Sequence, residues 1–493
     1  MLLRAMWPLN VSLTLLRPFW LAMGGLLLCH LFVGPFQHLA LFYDEAYYHV
    51  WSLRPDWGYY SKPPLVAWCI WLTTQLFGHA EWAVRLASPI LYFATAIVIR
   101  QIGGRLYQQR TGDIAALLFF TSPLVGFNSL FITTDAPLLF FWALTTYWFI
   151  RAIQHNTLRH WLFMGMCLGF GMLSKYTMIV LPLGLLSFLW LSPRYRPCFR
   201  SPGVWSGLVL SGLIFLPNLI WNASHDFISF QHTAEISKLN QSLFHPGKLL
   251  EFIGAQFLVC GPVCFGFFVR GINSNKGWAE RLLLLSALPM LGIISMQALL
   301  SHANANWAAP ALIPISLLVA RYLMLLNKQR AIRWAIGLNI GVVGIFYLYP
   351  QLQAALGAEP TRHNTPYHRV SGWRELIQQL PPLTPEQAYI SDSRAVLSYL
   401  HFYAKSDGDE AFAPVFSFHP QTHIEDHFQL AYPFTQAPFD DFIFASEVPV
   451  DLHGCFAQVR ALGSWEYSLY PSLTRTLYLY RVRGFSDYEH CMD

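Results

Sequence analysis

Residues 281–300 read RLLLLSALPMLGIISMQALL, and the arginine at their start is the only charged residue among them. A helix of about 20 apolar residues is long enough to cross the hydrocarbon core of a bilayer. Similar runs recur from residue 17 to residue 350, and together they predict a polytopic α-helical membrane protein of about eleven spans and at most thirteen. The eleven predicted spans are 17–36, 82–104, 112–128, 135–152, 160–174, 176–192, 203–221, 248–269, 281–300, 305–326 and 332–350.

The composition supports this fold class. Of the 493 residues, 54% are hydrophobic and only 12% are charged, about half the charged share of a soluble domain. Residues 1–350 carry a net charge of +13, whereas residues 351–493 carry −8. The basic residues therefore belong to loops at the membrane surface, and they do not indicate binding to nucleic acid. The acidic remainder of the chain predicts a separate soluble domain.

The basic loops also predict an orientation. If the N-terminus is cytoplasmic and the first span is an uncleaved signal anchor, nearly every cluster of arginine and lysine falls on the cytoplasmic side. The segments 36–81, 222–247 and everything after residue 350 then lie outside. We expect a transmembrane domain over 1–350, with a functional outer loop at 36–81 that includes an amphipathic helix over 62–77. We expect a small mixed α/β domain over 351–493, with a helix near Trp373–Gln379 and strands at Gln387–Ile390 and Thr476–Val482.

The outer stretch 41–66, LFYDEAYYHVWSLRPDWGYYSKPPLV, holds the most informative charges. Asp44 and Glu45 follow the first span, where a carboxylate is costly unless it meets water or a partner. Asp44 is a candidate general base, and the alternative is that it caps the helix that follows. Lys62 is a candidate contact for a lipid phosphate, and the alternative is a lysine whose ammonium snorkels to the interface.

Further polar residues lie at the predicted outer ends of other spans. Asp135 is either a helix cap or a second carboxylate of the same site, and Lys175 is either a phosphate contact or a snorkelling lysine. His302 and Asn304 either line that site or form a turn. No P-loop, GxGxxG or serine or cysteine nucleophile motif occurs, so no nucleotide site is indicated.

The C-terminal region adds Arg362 and Arg394 as candidate contacts for an anionic group. His423 and His427 are one helical turn apart and are weak candidates for a metal site. Cys455 and Cys491 are the only cysteines after residue 350, and they can pair in an oxidising compartment. Whether they do so is left open by the sequence.

Five segments together resemble one known family: FYDEAYYHVWS at 42–52, DWGYYSKPPLVAW at 56–68, FGHAEWAVRLAS at 77–88, TTDAPLLFFWAL at 133–144 and GMLSKYTMIVLP at 171–182. They are similar to the GT-C glycosyltransferases of the bacterial protein O-mannosyltransferase and lipid A aminoarabinose transferase superfamily. The resemblance covers roughly residues 40–330. It implies a multi-pass protein of the bacterial inner membrane that moves a sugar from a polyprenyl-phosphate donor to lipid A, lipopolysaccharide core, another glycan or a protein.

The resemblance also implies roles for single residues. Asp44 matches the acidic catalytic position with inversion at the anomeric carbon, and Glu45 matches its acceptor-holding neighbour. Lys62 matches a basic residue that contacts the donor phosphate, and Asp135 matches a second acidic position at the mouth of a span. Apart from the resemblance, the charges of Lys175, Arg362 and Arg394 make them candidates to assist Lys62 at the phosphate. Asp135, His302 and Asn304 are candidates to bind the acceptor or a divalent metal ion. The aminoarabinose enzymes carry a carboxylate just before the lysine, where this chain has Ser61. The sugar stays open, as do a lipid-linked sugar transporter or flippase and a non-catalytic scaffold.

Overall fold

The computed structural model describes residues 13–237, 244–273, 277–406, 412–419 and 423–488. These residues form a helical bundle followed by a small sheet. In chain order the α-helices α1 to α21 span Leu13–Phe36, Tyr43–Leu53, Leu65–Phe77, Glu81–Arg85, Ala87–Leu106, Gln109–Phe120, Pro123–Asn128, Asp135–His155, Leu158–Met172, Val180–Leu191, Pro202–Ala223, Ile228–Ser237, Pro246–Cys260, Pro262–Gly271, Trp278–Leu300, Leu312–Leu325, Gln329–Tyr347, Tyr349–Ala355, Trp373–Ile377, Arg394–Tyr403 and His427–Ala431. Short 3₁₀ helices lie at Tyr176–Ile179, Arg196–Arg200, Ala305–Ala311 and Phe434–Gln436.

The bundle confirms a multi-pass membrane protein but not the number of eleven spans. Within the described ranges, six helical stretches are long and apolar enough to cross a membrane, or up to eight if two bent pairs each count as one. The six are Pro18–Phe36, Glu81–Leu106, Asp135–His155, Pro202–Ala223, Trp278–Leu300 and Ala305–Leu325. Other predicted spans form helices shorter than a bilayer requires, such as α9 with its 15 residues.

One predicted span, 248–269, is broken in the middle. Helices α13 and α14 meet at Gly261 and are bent by 113° relative to each other. The φ angle of Gly261 is 87°, which disfavours any residue with a Cβ, and a Cβ there would lie 2.0 Å from Oδ1 of Asn339. Pro262 then starts the second helix, because its fixed φ suits the first helical turn. The break is therefore specified by the glycine–proline pair.

The outer loop contains two helices, α2 and α3. The predicted helix over 62–77 is confirmed as α3, which begins directly after Pro63 and Pro64. The amide of Leu65 donates to the carbonyl of Leu173, with an N–O distance of 3.0 Å. This bond ties the start of α3 to the turn that precedes Lys175, so that Lys62 and Lys175 belong to one end of the bundle.

The C-terminal region contains a five-stranded mixed sheet. Its strands β1 to β5 span Gln387–Ser391, Val415–Ser417, Asp441–Ser446, Phe456–Tyr470 and Leu473–Phe485. The spatial order is β2-β1-β3-β5-β4, where β1 is parallel to both neighbours and β5 is antiparallel to both of its neighbours. The expected mixed α/β character is confirmed. The two predicted strands correspond to β1 and β5, and the predicted helix corresponds to α19.

The sheet region packs directly on the outer loop. One hydrophobic core contains Tyr47 and Trp51 of α2 together with Leu376 of α19 and Leu397 of α20. The two regions therefore share buried apolar surface, which holds α20 against α2. The boundary at residue 350 between two domains stays a prediction. Cys455 is disulfide-bonded, and Cys491 lies outside the described residues.

Candidate active site

Helix α2 begins at Tyr43, and its first turn carries the two acidic residues. Phe42 is the N-cap, and the backbone amide of Phe42 donates to Oε2 of Glu45 at 2.9 Å. A glutamate at the third helical position commonly satisfies the N-cap amide in this way. The alternative interpretation of Asp44 as the helix cap is therefore wrong. Glu45 performs that function, and the Asp44 carboxylate is left for other contacts.

Glu45 is buried and fully paired. Its oxygens accept three hydrogen bonds from Arg85, at 2.7 to 3.2 Å, and one from the amide of Ile132 at 2.9 Å. Arg85 also donates to the carbonyls of Leu39 and Ala40. One ion pair thus connects the start of α2, the chain before it, helix α4 and the loop that leads to Asp135.

Asp44 faces the C-terminal region. Its Oδ1 lies 3.3 Å from Nη2 of Arg394, and both side chains are about one-third exposed. Partial burial raises the pKa of Asp44 above its ordinary value, although the Arg394 guanidinium and the Lys62 ammonium both oppose that shift. A carboxylate with a raised pKa is a better proton acceptor than an ordinary aspartate.

Lys62 lies in the same electrostatic neighbourhood. Burial lowers the pKa of Lys62 to about 8, the Lys175 ammonium adds to the shift, and the carboxylates of Asp44 and Asp135 oppose it. Within the part of the chain that the structure describes, Nζ of Lys62 makes no hydrogen bond. Its charge is therefore available to an anion that enters the site.

Asp135 and Lys175 form the second ion pair of the site. Nζ of Lys175 lies 2.8 Å from Oδ1 of the buried Asp135, and Oδ2 accepts a hydrogen bond from Nδ2 of Asn306 at 2.7 Å. Asp135 is the first residue of α8, one position after the N-cap Thr134. Burial raises the pKa of the Tyr48 hydroxyl, and the carboxylates of Asp44 and Asp135 both raise it further, so the two carboxylates share one electrostatic neighbourhood.

The structure brings together Asp44, Lys62, Asp135, Lys175 and Arg394, but other candidates lie elsewhere. Asn304 is exposed, and the ring of His302 packs near Trp307 at 5.9 Å between ring centres. Asn306, two residues later, is the side chain from this loop that reaches Asp135. The exposed Arg362 lies beside the β4–β5 turn, where its amide donates to Ser472 and its charge acts on Arg475.

A cavity of about 670 Å³ adjoins the Asp135 pair. Its polar lining residues are Asn128, Thr133, Asn306 and Arg369. The remaining lining residues are mainly apolar: Phe42, Pro123, Leu124, Phe127, Phe131, Leu258, Val259, Ala305, Val342, Val343, Phe346, Pro366, Tyr367 and Val370. A second cavity of about 630 Å³ has Leu39 and Arg85 in its wall. The short segment 39–42 therefore lies between two mainly apolar spaces, and each is large enough for part of a lipid chain.

The positions of Arg85 and Asn306 were missed from sequence although a signal for them exists. Each lies at the polar end of a predicted membrane span, and a polar side chain there requires a partner. The sequence offers few acidic residues as partners, so Glu45 and Asp135 were the natural choices. Tyr48 carries no such signal, because a tyrosine among aromatics is typical of a packed interface.

The donor set around the acidic residues does not favour a divalent cation. Within the described ranges, no three histidine, cysteine, aspartate or glutamate side chains are placed to hold a metal ion together. Asp135 already receives a lysine ammonium and an amide N–H, and Asp44 faces a guanidinium. A dication beside these cations would be repelled, so these residues do not fit a divalent metal ion. His427 is half-buried and its ring packs near Trp51 and Tyr59, whereas His423 is exposed.

Comparison with known proteins identifies the fold of this chain. The profile described as dolichyl-phosphate-mannose-protein mannosyltransferase matches residues 61–221. The solved structure of ArnT from Cupriavidus metallidurans bound to undecaprenyl phosphate superimposes with a TM-score of 0.64 and 13% identity, over 95% of this chain and 98% of that one. The chain therefore has the fold of this GT-C glycosyltransferase. The predicted GT-C fold class is thereby confirmed, while the roles of the single site residues stay predictions.

The curated proteins to which this chain is similar include sugar transferases. The chain is 32% identical to the lipid A galacturonosyltransferase RgtD of Rhizobium johnstonii, over 63% of this chain and 66% of that protein. It is 22% identical to an undecaprenyl phosphate-alpha-4-amino-4-deoxy-L-arabinose arabinosyl transferase of Enterobacter sp., over 54% and 50% respectively. The chain thus spans just under two thirds of the length of the first of these relatives and half of the second.

Proposed function

We propose that this chain transfers a sugar from a polyprenyl-phosphate donor to a lipid A-type acceptor. The observation that carries the proposal is the convergence of one partly exposed carboxylate, Asp44, with the cations of Lys62 and Arg394 beside the Asp135–Lys175 pair. Such a site offers a base to a hydroxyl group and positive charge to a phosphate. The adjoining cavity of about 670 Å³ offers apolar surface to a lipid.

The reaction is a single displacement at the anomeric carbon. The acceptor hydroxyl oxygen forms a bond to that carbon, and the bond from the carbon to the phosphate oxygen breaks with its electron pair. The hydroxyl proton passes to Asp44, and the configuration at the carbon inverts. A phosphate is a good leaving group, so positive charge that stabilises it contributes more than an acid would.

Lys62 and Lys175 have different roles in this reaction. The Lys62 ammonium has no hydrogen-bond partner among the described residues, and it binds the donor phosphate directly. Lys175 is held by Asp135, and it supplies fixed charge to the same region without the flexibility of a surface lysine. Glu45, with both oxygens engaged by Arg85 and backbone amides, positions α2 and does not meet the acceptor.

The sugar that we favour is a hexuronic acid. The identity to the galacturonosyltransferase is 32%, against 22% to the aminoarabinose transferase of Enterobacter sp.. The aminoarabinose enzymes also carry a carboxylate next to the lysine, which suits an aminosugar cation, whereas the buried Ser61 of this chain is neutral. An acidic sugar is better matched to a site in which cations surround Asp44.

The site faces the outer side of the bacterial inner membrane in this proposal, with the N-terminus in the cytoplasm. That orientation follows from the distribution of lysine and arginine between the loops. The C-terminal sheet region then lies in the periplasm. There α20 can present Arg394 to a donor in the outer leaflet.

The test is a transfer assay with defined substrates. The purified protein in nanodiscs receives lipid A and one polyprenyl-phosphate sugar at a time, with galacturonic acid, 4-amino-4-deoxyarabinose or mannose as the sugar. Mass spectrometry of the lipid A fraction reports the product. We expect transfer of the uronic acid, at least 10-fold faster than transfer of the other two sugars. Transfer of the aminosugar alone would refute the choice of sugar, and no transfer from any polyprenyl donor would refute the proposed function.

A further inference from the structure

The side chain of Arg394 packs against two tyrosines on the surface of α2. Its guanidinium lies over the rings of Tyr43 and Tyr47, at 5.2 and 5.0 Å from the ring centres, and it also interacts with the Tyr43 hydroxyl. Asp44 lies between these two tyrosines in sequence, and its carboxylate meets the same guanidinium. A residue of the C-terminal region therefore sits directly over the proposed base.

The contact between Arg394 and Asp44 is looser than the pair between Arg85 and Glu45. It joins one nitrogen to one oxygen at 3.3 Å, whereas Arg85 makes three hydrogen bonds to Glu45, the shortest at 2.7 Å. A guanidinium has five N–H donors in a fixed fork that suits a phosphate. Most donors of Arg394 are therefore not committed to Asp44.

The charge of Arg394 also extends to the proposed phosphate site. It acts on Lys62, and the charges of Lys62 and Arg394 both act on His232. Asp426 lies in the same neighbourhood, where its charge and that of Arg394 act on each other. An anion bound at Lys62 is therefore attracted by the guanidinium that Asp44 contacts.

We propose that Asp44 and the donor phosphate compete for the guanidinium of Arg394, so that donor binding releases Asp44 to act as the base. The proposal rests on the function proposed above and adds a coupling between donor binding and the strength of the base. When the guanidinium turns to the phosphate, Asp44 loses a stabilising positive neighbour and accepts the acceptor's proton more readily. The base is then strongest when a donor is present.

Coupling of this kind is reciprocal. If the phosphate weakens the contact between Asp44 and Arg394, then the negative charge of Asp44 must weaken phosphate binding by the same factor. Removal of that charge should therefore tighten phosphate binding, and the gain should depend on Arg394. This consequence can be measured without any sugar transfer.

The test is a double-mutant cycle on the binding of undecaprenyl phosphate, which carries no sugar, to the full chain in nanodiscs. We expect Asp44→Asn to lower the dissociation constant about 5- to 10-fold. This factor is at the low end of typical coupling between two sites, because the pair of Asp44 and Arg394 is partly exposed. In the Arg394→Gln background the same change should produce less than a 2-fold gain. Arg362→Gln is the matched control, because Arg362 is an exposed arginine of the same region beside Ser472, and it should preserve the full gain.

The possible outcomes of this cycle distinguish competition for Arg394 from direct repulsion between Asp44 and the phosphate. An equal gain in the wild-type and Arg394→Gln backgrounds would mean that Asp44 repels the phosphate directly, and it would overturn the proposal. If no variant binds undecaprenyl phosphate at all, the donor class of the proposed function fails instead. If Arg394→Gln does not fold, Arg394→Lys replaces it, because lysine keeps the charge but lacks the fork of N–H donors. In the Arg394→Lys background, Asp44→Asn should then produce an intermediate gain in affinity for undecaprenyl phosphate. A full gain in affinity in that background would also count against competition.

The pH profiles give an independent measurement. In the wild type, the apparent pKa of the base in the profile of kcat should exceed that in the profile of kcat/KM by about one unit, since the first reports the donor complex and the second reports the free protein. In Arg394→Gln the two values should coincide. A difference that persists without Arg394 would contradict the coupling.

Discussion

Replacement of Glu45 by glutamine should be among the most damaging single changes in the outer loop. The Glu45 side chain is 1% exposed and pairs with an arginine that is 8% exposed. Its two oxygens accept three hydrogen bonds from Arg85 and one from each of the amides of Phe42 and Ile132. Glutamine retains one oxygen and presents an NH₂ group to donors, so at least one buried donor loses its acceptor.

The larger part of the cost comes from charge. Without the carboxylate, the Arg85 guanidinium stays buried and uncompensated, and the removal of one partner of a buried pair typically costs about 3–5 kcal/mol. The start of α2 would also lose the hydrogen bond from the Phe42 amide to the Glu45 carboxylate. We expect this loss to displace Asp44 from Lys62. We expect a clear fall in the melting temperature and a loss of donor binding in the same variant.

The assay is thermal unfolding in detergent together with binding of undecaprenyl phosphate. The control is Glu251→Gln, which breaks the pair between Lys248 and Glu251, because both side chains are more than half exposed and water compensates for most of the loss. That control should cost less than about 1 kcal/mol. Unfolding of Glu45→Gln at the temperature of the wild type would refute the positioning role of Glu45.

The remaining predictions concern the pH range of activity and the choice between two asparagines. Activity should follow a bell-shaped pH profile: it falls at acid pH as Asp44 becomes protonated, and it falls as pH rises through about 8, where the Lys62 ammonium loses its charge. Lys62→Arg should remove the alkaline limb, because arginine stays charged there, and an unchanged limb would argue against Lys62 as its source. Asn306→Ala should lower kcat/KM about 10-fold, since a hydrogen bond to the charged Asp135 contributes about 1.5–3 kcal/mol, whereas the exposed Asn304→Ala should match the wild type. Equal effects of the two alanine variants would contradict the assignment of Asn306.

Much of the site was predictable because charges are scarce in this chain. A carboxylate or ammonium at the end of an apolar span is costly without a partner, so Asp44, Lys62, Asp135 and Lys175 could be selected from sequence and placed on one side of the membrane. The number of spans could not be predicted in the same way. Apolar composition gives the length of a run, but it does not reveal where a glycine such as Gly261 bends a helix.

Partners across long sequence separations were the other limit. The sequence offers Glu45 and Asp135 as acidic partners, but it does not decide whether Glu45 pairs with Arg85 or with Lys62. It also does not order the candidate cations in space. The three-dimensional structure separates Arg394, which reaches Asp44, from Arg362, which does not. That separation depends on the packing of α20 against α2, which follows from a shared apolar core and not from a local motif.

The most direct test of the account is the rate of single-turnover sugar transfer by Asp44→Asn. The variant should bind undecaprenyl phosphate at least as tightly as the wild type, yet transfer the sugar to lipid A about 10²- to 10⁴-fold more slowly, which is the usual contribution of a general base. Lys62→Ala should show the opposite pattern, with weakened donor binding. Transfer by Asp44→Asn at the wild-type rate, with donor binding intact, would contradict the central claim that Asp44 takes the acceptor's proton.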